Sequence, residues 1–303
     1  MSVVKLIFLT LAALTLIGDA LAQAPVDYSK VQIETVKLAP NFYVLNGQGG
    51  AIGVLTGPDG VLMVDSQFAP LTEKIVAAIK QVSNGAPIKF LINTHVHGDH
   101  TGGNENLGKM GVTIFAREEL RERLAHPAPG ANGAPGTPAP AAALPVVTYN
   151  SPLTFHMDGE DVQAIPIPKA HTDGDTLVFF PNTNVIMIGD YFRSLGYPNI
   201  DRANGGSLTG MLAGIDTAIK LCNAQTKVVP GHGAITDRNG LIAHRDMIIA
   251  IRDKIAPMVS QGKTLPEVVA AKPTADYDAK VPGVGTTGER FIGQVYAELK
   301  AGK

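Results

Sequence analysis

Four side chains able to bind a metal fall within six residues in His95-Val96-His97-Gly98-Asp99-His100. Imidazole and carboxylate in combination suit zinc. An apolar run, Ile88-Lys-Phe-Leu-Ile-Asn93, leads directly into the cluster and reads as a strand. A loop leaving a rigid strand can aim successive side chains to different sides, so His95 and His97 can face one cation while Asp99 and His100 face a second. Two cations need further ligands. Three more candidates stand beyond apolar runs: His171 after residues 162–167, Asp190 in Met-Ile-Gly-Asp after 185–188, and His232 in Val-Val-Pro-Gly-His-Gly. Ligands gathered at strand ends share one edge of a sheet assembly. Five of the eight histidines are used in this way. His126 borders a Pro-rich stretch, His156 lies in an expected strand and His244 on an expected helix; without partner motifs, all three are read as structural.

The elements that must position these residues come in two similar sets. Short strands at 31–38, 42–45, 51–56 and 61–64, the last after the Pro58-Asp59-Gly60 turn, read as an antiparallel meander. A helical pattern at 71–82, the strand at 88–93, a strand at 112–115 and a charged helix at 117–124 follow. Residues 127–145 are almost wholly Ala, Pro, Gly and Thr, too poor in side-chain surface to order themselves, and are expected to form a flexible loop, either a lid or a spacer. Strands at 153–156, 162–167, 176–180 and 185–188 then resume the meander. They precede a helix at 208–222, a strand at 227–229, a helix at 239–259, a short helix and a final one at 289–299. Antiparallel strands followed by strand and helix alternation, twice over, predict an α+β fold: two sheets face to face with helices outside, a four-layer αββα sandwich.

Residues 1–22 carry a lone Lys5, an apolar run at 6–17 and small residues Ala20 and Ala22 around Leu21, the plan of a secretory signal peptide cleaved after Ala22. The run falls short of the roughly 20 apolar residues that span a bilayer, and Asp19 follows it. A secreted or periplasmic protein is expected, with no stable membrane anchor and a single domain over 23–303. The chain has 25 basic and 27 acidic residues, a formal charge of −2. Losing the leader removes Lys5 and Asp19 and leaves that balance unchanged, so nothing favours nucleic acid. Cys222 is the only cysteine. No internal disulfide can form, and its place at helical spacing with Leu208, Met211, Leu212, Ile215 and Ile219 makes it core filler.

The ordered set His95-x-His97-x-Asp99-His100, His171, Asp190 and His232 resembles the signature of the metallo-β-lactamase superfamily, over residues from about 31 to 232. The resemblance implies that His95, His97 and His171 bind a first zinc, that Asp99, His100 and His232 bind a second, and that Asp190 bridges them. Asp65, ending Val61-Leu-Met-Val64, matches an early strand-end aspartate of the family that buttresses a metal-binding histidine; a turn cap is the plain alternative. Asp190 stands where the best known zinc β-lactamases carry a cysteine or lack a carboxylate, which places the site closer to glyoxalase II, lactonases and generalist hydrolases. His97 stands where the oxygen-reducing diiron branch has Glu. The segments Ala170-His-Thr-Asp-Gly-Asp-Thr176 and Tyr197-Pro-Asn-Ile-Asp201 resemble exported bacterial metallo-hydrolases and carry no substrate with them.

Coordination to zinc lowers the pKa of water toward about 7 and supplies hydroxide at neutral pH. The expected enzyme is therefore an exported hydrolase with two zinc ions per chain, or iron or manganese in their place. It would cleave an ester, lactone, thioester or lactam of a small-molecule substrate, with Asp99 orienting the attacking oxygen and taking its proton. Rival readings are a β-lactamase, a mononuclear iron sulfur dioxygenase and a non-catalytic metal-binding protein. The complete second ligand set favours two metals over one iron.

Overall fold

The computed structural model describes residues 26–129, 133–281, 283 and 285–302. The expected signal peptide lies outside the described residues. Twelve strands form two sheets among the described residues. The first holds β1 (Glu34–Ala39), β2 (Phe42–Asn46), β3 (Ile52–Gly57), β4 (Gly60–Val64), β5 (Ile88–Ile92), β6 (Thr113–Arg117) and β7 (Val147–Tyr149), in that order. β1 to β4 are antiparallel, and β5, β6 and β7 then add in parallel. The second sheet runs β12 (Lys227–Val229), β11 (Val185–Met187), β10 (Thr176–Phe180), β9 (Glu160–Pro166) and β8 (Leu153–Met157). Only its β11/β12 pair is parallel. Each sheet thus adds parallel strands to an antiparallel meander.

Alternation along the strands builds the layers. In β4, Val61 and Met63 pack with Ile75 and Ile79 of helix α1 (Thr72–Val82), whereas Leu62 and Val64 enter the core between the sheets. With both faces covered, the strand reads as an unbroken apolar run. Phe42 of the first sheet meets Phe180 of the second edge-on, ring centroids 4.6 Å apart. Such a pair adds about 0.5–1.5 kcal/mol to the burial of its rings. The far side of the second sheet is covered by α5 (Leu208–Leu221), α6 (Arg238–Ser260) and α9 (Gly288–Ala301), through Met211, Ile215, Ile248, Ile251 and Phe291. The result is the four-layer αββα sandwich. Shorter helices complete the chain: α2 (Gly98–Thr101), α3 (Asn104–Lys109), α4 (Glu118–Ala125), α7 (Leu265–Ala270) and α8 (Ala275–Asp278). No helix among the described residues is long and apolar enough to cross a membrane.

Three of the differences from the sequence expectations have a clear physical reason. The first strand begins at Glu34 rather than 31, because its partner β2 ends at Asn46, opposite Glu34; before it, Tyr28–Lys30 form a single tight turn capped by Asp27. β7 is a strand that the pattern did not reveal: three residues following Pro145 and Val146 are too few to show a period. The described residues of the Ala/Pro/Gly stretch contain no strand, yet its second half is fastened by main-chain groups where side chains offer little. Ala139 N donates to Leu124 O at 2.8 Å, Asn104 Nδ2 to Ala143 O at 3.2 Å, and Arg121 to Pro145 O.

Candidate metal centre

Parallel pairing sets the frame of the site. Because β4 and β5 run together, Val64 and Ile92 are register partners, and the residues that follow, Asp65 and Asn93 to His95, emerge on one edge. β11 and β12 do the same in the second sheet, delivering Asp190 and His232. The turn between β9 and β10 brings His171 to the same edge. Thr176 N donates to Thr94 O at 2.8 Å and joins the sheets directly behind His95.

Past β5 the chain is pinned by a buried amide pair. Asn104 Nδ2 donates to Asn93 Oδ1 at 2.8 Å, Asn93 Nδ2 to Asn104 Oδ1 at 3.1 Å, and Ser66 Oγ to Asn104 Oδ1 at 3.0 Å. After the extended His97, one helical turn, α2, carries Asp99 and His100. The change from extended to helical backbone separates the cluster into two directions. Gly50 passes so close to the His100 ring that a Cβ there would overlap it.

All seven expected residues converge, in three overlapping groups. Ligand atoms of His95, His97 and His171 lie within 4.8 Å of one another, as do those of His95, His100 and Asp190 and those of Asp99, His100 and His232. His97 Nδ1 and His171 Nε2 are 2.9 Å apart, and His100 Nε2 and His232 Nε2 3.4 Å. Asp190 Oδ1 stands 3.2 Å from His100 Nε2 and 3.4 Å from His232 Nε2, and Asp190 Oδ2 stands 3.9 Å from His171 Nε2. Asp99 Oδ2 is 3.0 Å from His232 Nε2.

The outer nitrogens of four rings are held from behind, which aims the inner ones at the centre. His100 Nδ1 bonds Asp65 Oδ2 at 2.7 Å, His97 Nε2 bonds Asp201 Oδ2 at 2.7 Å, and His171 Nδ1 bonds Asn199 O at 2.6 Å. His95 Nδ1 meets Thr94 Oγ1 at 3.1 Å, and that hydroxyl donates to Asp65 Oδ2 at 2.6 Å. Asp65 is therefore more than a turn cap: it supports His100 directly and His95 through Thr94. Its φ of 63° places it in the left-handed region, which Asp tolerates better than most residues.

Burial makes charge in this cluster costly, and the groups respond in opposite directions. Burial, with His100 and His171 nearby, holds His95 well below the ordinary imidazole range. Burial likewise lowers His171, to about 4. Burial opposes the charged form of His100 too, but the Asp65 and Asp190 carboxylates overcome it and raise its pKa. Asp99 is pushed up by burial and pulled down more strongly by His232 and His100, to about 2. Asp190 is lowered in the same manner, burial being outweighed by His100 and His232.

The donors fit a cation better than they fit each other. His95 Nε2 and Asp190 Oδ1 are buried and have no hydrogen-bond partner among the described residues. For Asp190 Oδ1 the neighbouring nitrogens are near but poorly aligned for a bond. Lone pairs converging on shared points, in sets of nitrogen and oxygen, are what divalent zinc requires.

Some supporting residues were not expected from the sequence. Asp201 lay in a segment singled out without a role. Asp175 accepts from His171 N at 2.6 Å and from Thr172 Oγ1 at 2.5 Å, fixing the turn that carries His171, and burial pushes it up to about 7. Arg193, three residues beyond Asp190, has Nε 3.7 Å from Asp190 Oδ2 and no hydrogen-bond acceptor for that Nε among the described residues. The remaining histidines stand apart: His126 faces Glu122, His156 bonds Asp161, and His244 packs on Phe192.

The fold agrees with what known proteins show. Residues 45–240 match the family model of the metallo-beta-lactamase superfamily, and the chain belongs to that superfamily. The metallo-beta-lactamase type 2 of Bacillus cereus is 24% identical over 192 residues, 63% of this chain and 69% of that protein. The hydroxyacylglutathione hydrolase of Nitrosococcus oceani is 28% identical over 163 residues, 52% of this chain and 53% of its own length. Among solved structures, a metallo-beta-lactamase from Pontibacter korlensis superposes with a TM-score of 0.59 at 20% identity, over 72% of this chain and 99% of that one. The sec-alkylsulfatase Pisa1 from Pseudomonas sp. gives 0.66 at 17% identity, over 87% of this chain and 50% of its own. The chain spans about half the length of the hydroxyacylglutathione hydrolase and of the alkylsulfatase. At these identities the structural likeness establishes the fold.

Proposed function

We propose that the chain is an exported, binuclear zinc hydrolase that cleaves an ester, lactone, thioester or lactam bond of a small molecule. The observation that carries the reading is the convergence of seven donors at one sandwich edge, with buried, unpartnered His95 Nε2 and Asp190 Oδ1 among them. His95, His97 and His171 would hold one cation and Asp99, His100 and His232 the other, with Asp190 between them. Cations so held supply a Lewis acid for the acyl oxygen and water of lowered pKa. Asp99, kept ionised beside His232, receives the proton of the attacking water at Oδ2. Its side chain is 27% exposed, the most open of the carboxylates facing the centre. Relatives named as metallo-beta-lactamase and hydroxyacylglutathione hydrolase support hydrolysis as the reaction class. Export rests on the leader-like residues 1–22.

Asp190 favours a general acyl hydrolase over a β-lactamase. No thiolate can replace its carboxylate, since Cys222 sits buried at the end of α5, its thiol pushed up to about 11 by burial. The test is a panel of lactams, including nitrocefin, lactones and thioesters, run with elemental analysis. Two zinc per chain and hydrolysis of at least one ester or thioester are expected, and His97→Ala or Asp190→Ala should abolish turnover while leaving the chain folded. Full activity in either purified variant, or one iron and no zinc in the native protein, would overturn the reading.

A further inference from the structure

We infer that Arg123, on α4 and outside the donor set, is a positioning residue for the centre: it locks the loop that carries His171 to the loop that holds His97 and His171 from behind. The inference rests on the metal-centre reading above. One loop, between β9 and β10, carries His171 and Asp173. The other, residues 199–206, supplies the Asn199 carbonyl to His171 and the Asp201 carboxylate to His97. Arg123 Nε and Nη2 donate to the two oxygens of Asp173, each at 2.6 Å, in a planar fork. Its Nη1 reaches across to Asn204 Oδ1 at 3.2 Å and Ala203 O at 3.4 Å. Asn204 Nδ2 in turn donates at 2.6 Å to Asp201 Oδ2, the oxygen that bonds His97 Nε2. Three links therefore run from Arg123 to the ring of an expected ligand.

Main-chain bonds make the loops a single unit once they are docked. Asp173 N donates to Asn204 O, and Asp201 N to His171 O, both at 2.9 Å. Gly205, at φ 78°, lies so close that a Cβ would stand 2.5 Å from Asp173 Oδ2. Docking this tightly brings the carboxylates of Asp173 and Asp201 to the same junction. Both act on Arg123 to raise its pKa, the Asp173 hydrogen bond most strongly. The guanidinium thus neutralises two anions that would otherwise drive the loops apart. A lysine offers the charge without the fork and cannot bond both loops in the same geometry.

The test uses the full chain with Arg123→Gln and Arg123→Lys. Zinc affinity is resolved site by site by competition with a chromophoric chelator, and the ring N–H proton of His97 is followed by NMR in metal-free protein labelled at histidine. In both variants one of the two zinc affinities should fall about 10-fold with the other unchanged, the lower end of the usual effect of outer-shell partners. The His97 ring proton, protected by Asp201 in the native chain, should broaden or vanish, and lysine should not restore it. Unchanged affinities and an unchanged His97 proton overturn the inference, even if the melting temperature drops, because the residue would then be merely structural. Failure of the native chain to bind two metals would refute the metal reading by itself. The His97 proton would still decide whether Arg123 positions that ring.

Discussion

Changing Asp65 to Asn alters little of the side chain's shape and removes its charge. The backbone at φ 63° is no obstacle, since Asn tolerates the left-handed region as Asp does. Three buried donors converge on the native carboxylate: Thr94 N on Oδ1 at 2.7 Å, with Thr94 Oγ1 at 2.6 Å and His100 Nδ1 at 2.7 Å on Oδ2. An amide has one oxygen. Whichever way it turns, at least one of these donors faces an NH2 group. An unsatisfied buried donor costs about 1–3 kcal/mol, and a hydrogen bond to a charged acceptor contributes about 1.5–3 kcal/mol. Thr94 can rotate its hydroxyl and recover part of this, which leaves a loss of about 2–4 kcal/mol. At about 2–4 °C per kcal/mol for a chain of this size, the metal-free protein should melt about 4–16 °C lower. His100 and His95 both lose their anchor, so zinc should bind about 10- to 100-fold more weakly. Thermal unfolding with and without zinc, together with chelator competition, measures both effects. A melting point within a degree of native and zinc affinity within twofold would refute the view that Asp65 organises the ligands.

Two further outcomes follow from groups at and beyond the centre. Arg193 offers a guanidinium beside Asp190, so Arg193→Ala should raise KM several-fold for an ester bearing a carboxylate while leaving a neutral ester within twofold; equal effects on the two would remove Arg193 from substrate recognition. His244 has its Nε2 sealed from solvent and without a partner, and burial lowers its pKa to about 4, so the folded state stays neutral while the unfolded chain takes up a proton near pH 6.5. Stability is thus lost as pH falls from about 6.5 to about 4, by on the order of 2–3 kcal/mol, and His244→Leu should shrink the drop in urea midpoint between pH 7 and 4.5; an identical drop would show that acid sensitivity lies elsewhere.

The candidate donors that converge were legible in the sequence because their chemistry is local. His95 to His100 form a dense cluster, and His171, Asp190 and His232 each follow an apolar run, so pattern and residue type coincide. The layers were legible for a related reason: meanders followed by strand and helix alternation leave few architectures open. The supports were not. Asp201 meets His97 across 104 positions of sequence, and Arg123 reaches Asp173 across 50; both contacts exist only after the sheets and loops have packed. Asp175 differs from a surface aspartate only in being enclosed by the turn it caps. β7 was missed because its three residues gain their partners from β6 rather than from any pattern of their own.

The division of the candidate donors between the sheets bears on how the site is kept together. His95, His97, Asp99 and His100 come from the first sheet's edge; His171, Asp190 and His232 come from the second's. Each of the two proposed cations draws ligands from both sheets, so each would act as a tie across the sandwich as well as a reactive centre. A ligand that binds only the folded state stabilises it by RT ln(1 + [L]/Kd), about 2.7 kcal/mol at a hundred times Kd. The protein itself joins the sheets at this edge through main-chain bonds from Thr176 N to Thr94 O and from Ala51 N to Gly231 O, and through contacts among groups that shift in opposite directions, His95 lowered by burial and His100 raised by the Asp65 and Asp190 carboxylates. Such an edge stays in place because the core behind it, from Phe42 and Leu62 to Phe180 and Met187, has already fixed the spacing of the sheets. The core therefore sets the distance between the two ligand sets, and Asp65, Asp201 and Arg123 set the angles of the rings within them.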